Sequence, residues 1–237
     1  MSSSITRTIT ATVVGGASFL AGLAVGYPLF ARTRVLTWGA SGEEIARQMP
    51  GDELLVTAGI VTTRAISISA GPEQIWPWLA QFGPGRGGVY SYDWIDNLLG
   101  VPMHSADTIL PEFQHPTVGE IFTLAPEGPH MRVETLDPQH ALVFRSEDHN
   151  WVWSFGLYPI EGGTRLVSRN RISTADASLA TRLFNRYLLE PGSLIMERKM
   201  LQGIKNRAER TTPPTPAGLE DSSASAIRNE TTVPTPR

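Results

Sequence analysis

The sequence predicts an α+β domain, an antiparallel sheet wrapped around a long C-terminal helix, preceded by an N-terminal transmembrane helix. Three observations predict it. Residues 8–31 form a run of 24 without a charge. Strand-like alternation broken by turn residues fills the stretch from Val118 to Ile172. Apolar residues then recur at helical spacing from Asp176 to Glu209. Composition narrows the reading further. A chain of 237 residues has room for one good-sized domain with additional segments. Its 20 basic and 23 acidic side chains leave a formal charge of -3 with no long basic run, which argues against nucleic acid as a partner. The absence of cysteine excludes disulfides, thiolate catalysis and Cys-ligated zinc or iron–sulfur sites.

A bilayer is spanned by about 20 helical residues, whereas the apolar core of a cleaved signal peptide runs to about 7–15. Residues 1–33 are therefore read as a single-pass membrane anchor. Arg7 and the free amine stand on one side, Arg32 and Arg34 on the other, and the slight excess places the following domain on the cytoplasmic side. Gly22 and Gly26, in register with Ser18, have the spacing of a helix-pairing motif, although glycine is common in membrane helices in any case.

Residues 34–60 read as a linker with a short helix, because Ser41 and Glu44 have capping-box spacing ahead of Gly42 to Gln48 and Met49-Pro50-Gly51-Asp52 stops it. The domain proper is placed at residues 61–210. Thr62 to Ser69 alternates as a strand, with Ile66 and Ile68 on one face. Pro72 and Glu73 suit a helix first turn, and Ile75, Trp76, Leu79 and Phe82 continue it, while Pro77 predicts a short or kinked helix. Gly83 to Gly88 lacks the Lys-Ser/Thr pair of a P-loop and the spacing of a dinucleotide fingerprint, and reads as a flexible loop carrying Arg86. A second helix follows over Ser91 to Leu99, with Gly100 as its stop.

Five strands come next: Glu120 to Leu124, Met131 to Leu136, Ala141 to Phe144, Trp151 to Tyr158 and Thr164 to Ile172. In the fourth of these, Trp151, Trp153, Phe155 and Leu157 share one face. The last helix reads as two parts, the second restarting at Pro191-Gly192. Residues 211–237, rich in Thr, Pro, Ser and Ala, read as a disordered tail.

The order strand, two short helices, antiparallel strands and long helix is similar to that of the START-like helix-grip superfamily, which includes lipid carriers, plant hormone and allergen proteins, and polyketide cyclases. The stretches from Gly85 to Trp94, from His104 to Asp107, and Glu190-Pro191-Gly192 with Met196 to Met200 resemble its bacterial SRPBCC, polyketide cyclase-like branch. The resemblance spans residues 34–210. It implies a cavity for a small hydrophobic ligand, of lipid, isoprenoid or polyketide-like type. It also implies a seventh strand, for which Met103 to Phe113 is the open stretch.

A helix-grip cavity has apolar walls and a few orienting polar groups. Candidates for the wall are Trp151, Trp153, Phe155, Met196 and Met200, with Tyr90, Tyr92 and Trp94 towards the mouth; ordinary core packing accounts for such stripes as well. Arg86 is a candidate for a carboxylate or phosphate group of the ligand, or for a structural pair with Asp93. His104 and Asp107, three residues apart, are candidate acid–base groups if they meet on one helical turn, and Asp93 is a third. The five histidines show no metal-binding spacing, so no metal and no cofactor is expected. Arg165, Arg169 and Arg171 alternate on one strand face, where charges are usually solvated.

Three functions compete on these grounds. The first is a membrane-anchored binding or transport protein for a small hydrophobic ligand. The second is a cyclase or dehydratase, which needs an acid and a base inside the cavity. The third is a non-catalytic scaffold whose cavity is filled by its own side chains. Oligomeric state is left open.

Overall fold

The structure is a computed structural model that describes residues 26–124 and 128–211. The predicted anchor therefore falls outside the described residues except for 26–33, and the predicted tail except for Thr211. Among the described residues no helix is long and apolar enough to cross a membrane.

A π-helical turn, Tyr27–Ala31, leads into α1, Arg32–Leu36. Helix α2, Gly42–Ala46, is closed by the capping box: Glu44 N donates to Ser41 Oγ at 3.2 Å and Ser41 N to Glu44 Oε2 at 2.8 Å. Strand β1, Ile60–Ile68, precedes α3, Pro72–Ala80, a short helix that carries Pro77 in its interior, where proline has no N–H for the Glu73 carbonyl. Helix α4 is Asp93–Leu98. The stretch Met103 to Phe113 holds a loop and a 3-10 turn, Pro111–Phe113, in place of the expected seventh strand. Buried Gln81 fixes that loop, accepting from Leu110 N at 2.8 Å and donating to Thr108 O at 3.2 Å.

Strands β2 (Ile121–Thr123), β3 (His130–Asp137), β4 (Ala141–Ser146), β5 (Trp151–Ile160) and β6 (Gly163–Ile172) complete a six-stranded antiparallel sheet ordered β1-β6-β5-β4-β3-β2. Helix α5 (Leu179–Phe184), a π-helical segment (Asn185–Leu189) and α6 (Glu190–Thr211) follow without a break in helical backbone. The predicted interruption at Pro191 is thus a change of helical register rather than a stop. Proline cannot donate to the preceding turn, and the Glu190 N–H bonds five residues back, to Asn185 O. Helix α6 packs against α3 and β1, which is the helix-grip arrangement.

One sheet face and α6 enclose the main core. Phe82 is its hub, with ring centroids 5.3 Å from Trp153, 5.4 Å from Phe155 and 6.0 Å from Phe144. The other face is covered as well, which the linker reading of residues 34–60 does not anticipate. Met49 packs with Ala65 and Val167, and Gly51 lies against Val143, Val152 and Ser154.

The arginines of β6 hold this second layer, correcting the expectation that they are solvated. Arg165 Nε bonds Glu44 Oε1 at 2.6 Å, and Arg169 reaches Asp52 Oδ2 at 2.6 Å, Arg47 O at 2.8 Å and Glu44 O at 2.8 Å. Arg171 bonds the carbonyls of Leu55 and Val56, both at 2.8 Å. These three side chains exchange water for charge-assisted bonds to the carboxylates and backbone carbonyls of residues 44–56.

Candidate functional site

Among the described residues, aromatic side chains pack on one another between the sheet and α6. A void of about 10 Å³ remains beside Ala80, Phe82, Phe122, Leu142 and Phe144, room for about one water molecule. Phe82, Phe144, Trp153 and Phe155 pack on one another where the sequence places the hydrophobic cavity.

A groove of about 650 Å³ opens instead on the outside of this wall. Pro84, Gly85 and Arg86 form one side, Val101 and Pro102 another, and residues 120–123 at the sheet edge the third. The loop supplying the first side is fastened at both ends. Gly83 and Gly88 bridge each other through paired backbone bonds of 3.0 Å, and Gly88, at φ +79°, lies so close to residues 104 and 105 that a Cβ would sit 2.7 Å from Ser105 Cα. Arg86 pairs with Glu120, donates to Ala80 O at 3.0 Å and Phe113 O at 3.3 Å, and stacks over the Phe113 ring. Its partner is thus Glu120 and not Asp93. Arg86, Glu120 and Phe122 line both the groove and the small void.

The remaining sequence candidates are dispersed. Tyr90 is buried at φ +57°, its hydroxyl donating to Trp78 O at 2.9 Å, and burial pushes its pKa up. Tyr92 is half-buried beside Lys199, and Trp94 points to solvent. Trp153, Phe155 and Met200 belong to the main core, with Trp151 stacked on Trp153 at 5.6 Å; Met196 is half-buried and its carbonyl accepts from Ser91 Oγ at 3.1 Å.

His104 and Asp107 do not meet: the segment between them is not helical, His104 is exposed, and Asp107 pairs with Arg207 at 2.9 Å. Asp93 is spent on Ser105, accepting from its N at 2.7 Å and its Oγ at 2.6 Å. Its charge, after burial itself, helps raise the neighbouring Asp96 carboxyl to about 6. Among the described residues no cluster of three or more His, Asp or Glu has the makings of a metal site.

Sequence reasoning missed a buried polar network at the other end of the core. Fully buried Arg64 pairs with Glu197 and donates to Val35 O at 3.1 Å and Ser193 Oγ at 3.0 Å. Glu197 Oε2 also accepts from Asn170 Nδ2 at 3.3 Å, Asn170 Oδ1 accepts from Trp151 Nε1 at 2.8 Å, and Trp153 Nε1 donates to Ser168 Oγ at 3.0 Å. Burial pushes the Glu197 carboxyl up despite Arg64. The signal was present in the sequence: Arg64 shares strand parity with Ile66 and Ile68, and Glu197 lies in register with Leu201, Ile204 and Ala208.

No family model matches the sequence. No curated protein matches it either. Solved structures similar to it include a Mesorhizobium loti protein, 18% identical over 65% of this chain and 99% of that one, with a TM-score of 0.40. A Polyketide_cyc-like protein of Corynebacterium glutamicum aligns at 20% identity over 61% of this chain and 88% of that one, with a TM-score of 0.33. The Aha1 dimer of Colwellia psychrerythraea aligns at 17% identity over 57% of this chain and 92% of that one, also at 0.33.

Proposed function

We propose that the protein is a membrane-associated binding protein for a small ligand with an apolar body, taken up in the groove between residues 84–86, Val101–Pro102 and β2. The observation that carries this reading is the groove itself. Its volume of about 650 Å³ lies in the range of small-molecule sites, about 300–1,000 Å³, and apolar walls of Ile121, Phe122, Val101 and the two prolines surround the Arg86–Glu120 pair, with Thr123 at the sheet edge. Binding is favoured over catalysis because the acid–base candidates do not converge. Asp107 and Asp93 are bonded to Arg207 and Ser105, His104 is exposed, and none of the three lines the groove. The membrane association rests on the uncharged run of residues 8–31.

The aromatic packing between the sheet and α6 favours a second reading, a scaffold that holds no ligand. Native mass spectrometry of the full chain released from mild detergent separates the two. The binding reading expects one copurifying apolar molecule per chain, lost in Ile121→Trp, which fills the groove from its exposed edge. A ligand-free wild type, or a ligand retained unchanged by Ile121→Trp, refutes the groove as the binding site.

A further inference from the structure

We infer that the helix from α5 to the start of α6, with residues 29–30 and the outer face of α4, forms a docking surface that lies on an anionic lipid bilayer. The helix is amphipathic in two opposite senses. Its second half buries Met200, Leu201 and Ile204 in the core, whereas its first half leaves Leu179, Leu183, Phe184 and Leu188 exposed at 74%, 47%, 54% and 61%. A helix that packs only on its own domain hides such a stripe, and a contiguous exposed one marks an interaction surface.

Three features say what covers it. The first is where the uncharged run ends. Its last large residues, Leu29 and Phe30, are 69% and 77% exposed. They are held beside the exposed helix by the Tyr27 ring, 5.9 Å from that of Tyr187, by Tyr27 Oη donating to Glu190 Oε2 at 3.1 Å, and by Arg32 pairing with Glu190 at 2.8 Å. A run of 24 uncharged residues, long enough to span a bilayer, therefore reaches the domain at this corner.

The second is a further exposed apolar patch, tied to α6. Helix α4 and the Leu99 that follows it present Trp94, Leu98 and Leu99 to solvent, and the chain just before the helix is fastened to α6 by Ser91 Oγ donating to Met196 O. Tryptophan is favoured at the membrane–water boundary. The third is charge. From Asp176 to Lys199 the exposed ionisable side chains are Asp176, Arg182, Arg186 and Arg198, three basic to one acidic, while Glu190 and Glu197 are buried in ion pairs and α4 adds only the half-buried Asp93 and Asp96. In a chain of net charge -3 this local excess is of the opposite sign, as an anionic headgroup layer requires. The inference draws on the uncharged run and the exposed helix, and stands whether or not the groove takes a ligand.

The absence of cysteine makes the test direct. The full chain is reconstituted in vesicles of phosphatidylcholine with phosphatidylglycerol, carrying a fluorophore at Leu188→Cys, at Leu98→Cys, or at Glu161→Cys as a control in the β5–β6 turn. Far-UV circular dichroism checks that each variant folds. Doxyl-labelled lipid is expected to quench the first two and not the third, at a depth of about 5–10 Å from the headgroup boundary, with aqueous iodide showing the reverse. Arg186→Glu, and omission of phosphatidylglycerol, are each expected to weaken the lipid quenching at Leu188. Iodide reaching Leu188 as freely as Glu161 overturns the proposal. So does a Leu188 label shielded from both quenchers, since residues 8–25 or a second copy would then cover the surface. Lipid quenching indifferent to Arg186→Glu and to phosphatidylglycerol overturns the anionic requirement.

Discussion

Replacing Glu197 by leucine strands the Arg64 guanidinium inside the core. Arg64 then keeps only the Val35 carbonyl and the Ser193 hydroxyl, both neutral, for a side chain with no measurable exposure. Breaking a buried pair from one side costs about 3–5 kcal/mol, because the remaining charge has lost both water and its counter-ion. Removing both charges, as in Arg64→Met with Glu197→Leu, costs little or stabilises, since the desolvation of the pair roughly offsets its attraction. The assay is urea unfolding of the full chain in mild detergent, followed by tryptophan fluorescence. With a slope of about 2 kcal/mol per molar urea, the single variant should lower the midpoint by about 2 M and the double variant should restore it. A single variant within about 1 kcal/mol of wild type, or a double variant no more stable than the single, refutes the claim that a desolvated ion pair joins β1 to α6.

Asp96 offers a test by pH. Its carboxyl, raised from 3.8 to about 6 first by burial and then by Asp93, holds its proton more tightly folded than unfolded. The folded state therefore gains stability as pH falls from about 6 towards 4, and Asp96→Asn should stabilise by about 1 kcal/mol at pH 7.5, after allowance for solvent screening, with the gain shrinking by pH 4.5 in thermal melts. Gly203 faces the Tyr90 backbone, and an added Cβ would collide with its carbonyl oxygen and lie 2.8 Å from its Cβ. Gly203→Ala should consequently destabilise by about 1–3 kcal/mol despite the gain of about 1 kcal/mol in helix propensity, as a urea midpoint would show. Arg169→Ala should cost about 3 kcal/mol and, in hydrogen exchange, release protection in residues 44–56 before the β5–β6 ladder.

The local devices were legible in advance because they depend on neighbours in sequence. Ser41 and Glu44 cap α2, Pro72 opens the short α3, and alternation places Trp151, Trp153 and Phe155 on one face of β5. Each of these follows from backbone geometry within one turn or one strand. The polar pairs were not legible in the same way. His104 and Asp107 have suitable spacing for a helix, yet the chain between them is a loop shaped by Gly88 and Ser105, and their side chains part.

What the sequence determined by itself is the α+β element order, the apolar stripes and the uncharged run, since periodicity and turn residues encode these locally. What only the tertiary structure decided is which stripes are covered. Helix α4 and the start of the last helix carry apolar spacing much like that of α3, but α3 lies under the sheet and they face outwards. It also decided that Phe82 packs on Trp153 in the core and that a groove opens outside. The physical reason is that periodicity marks a face as apolar without naming what packs on it, and burial is a property of the surfaces that meet.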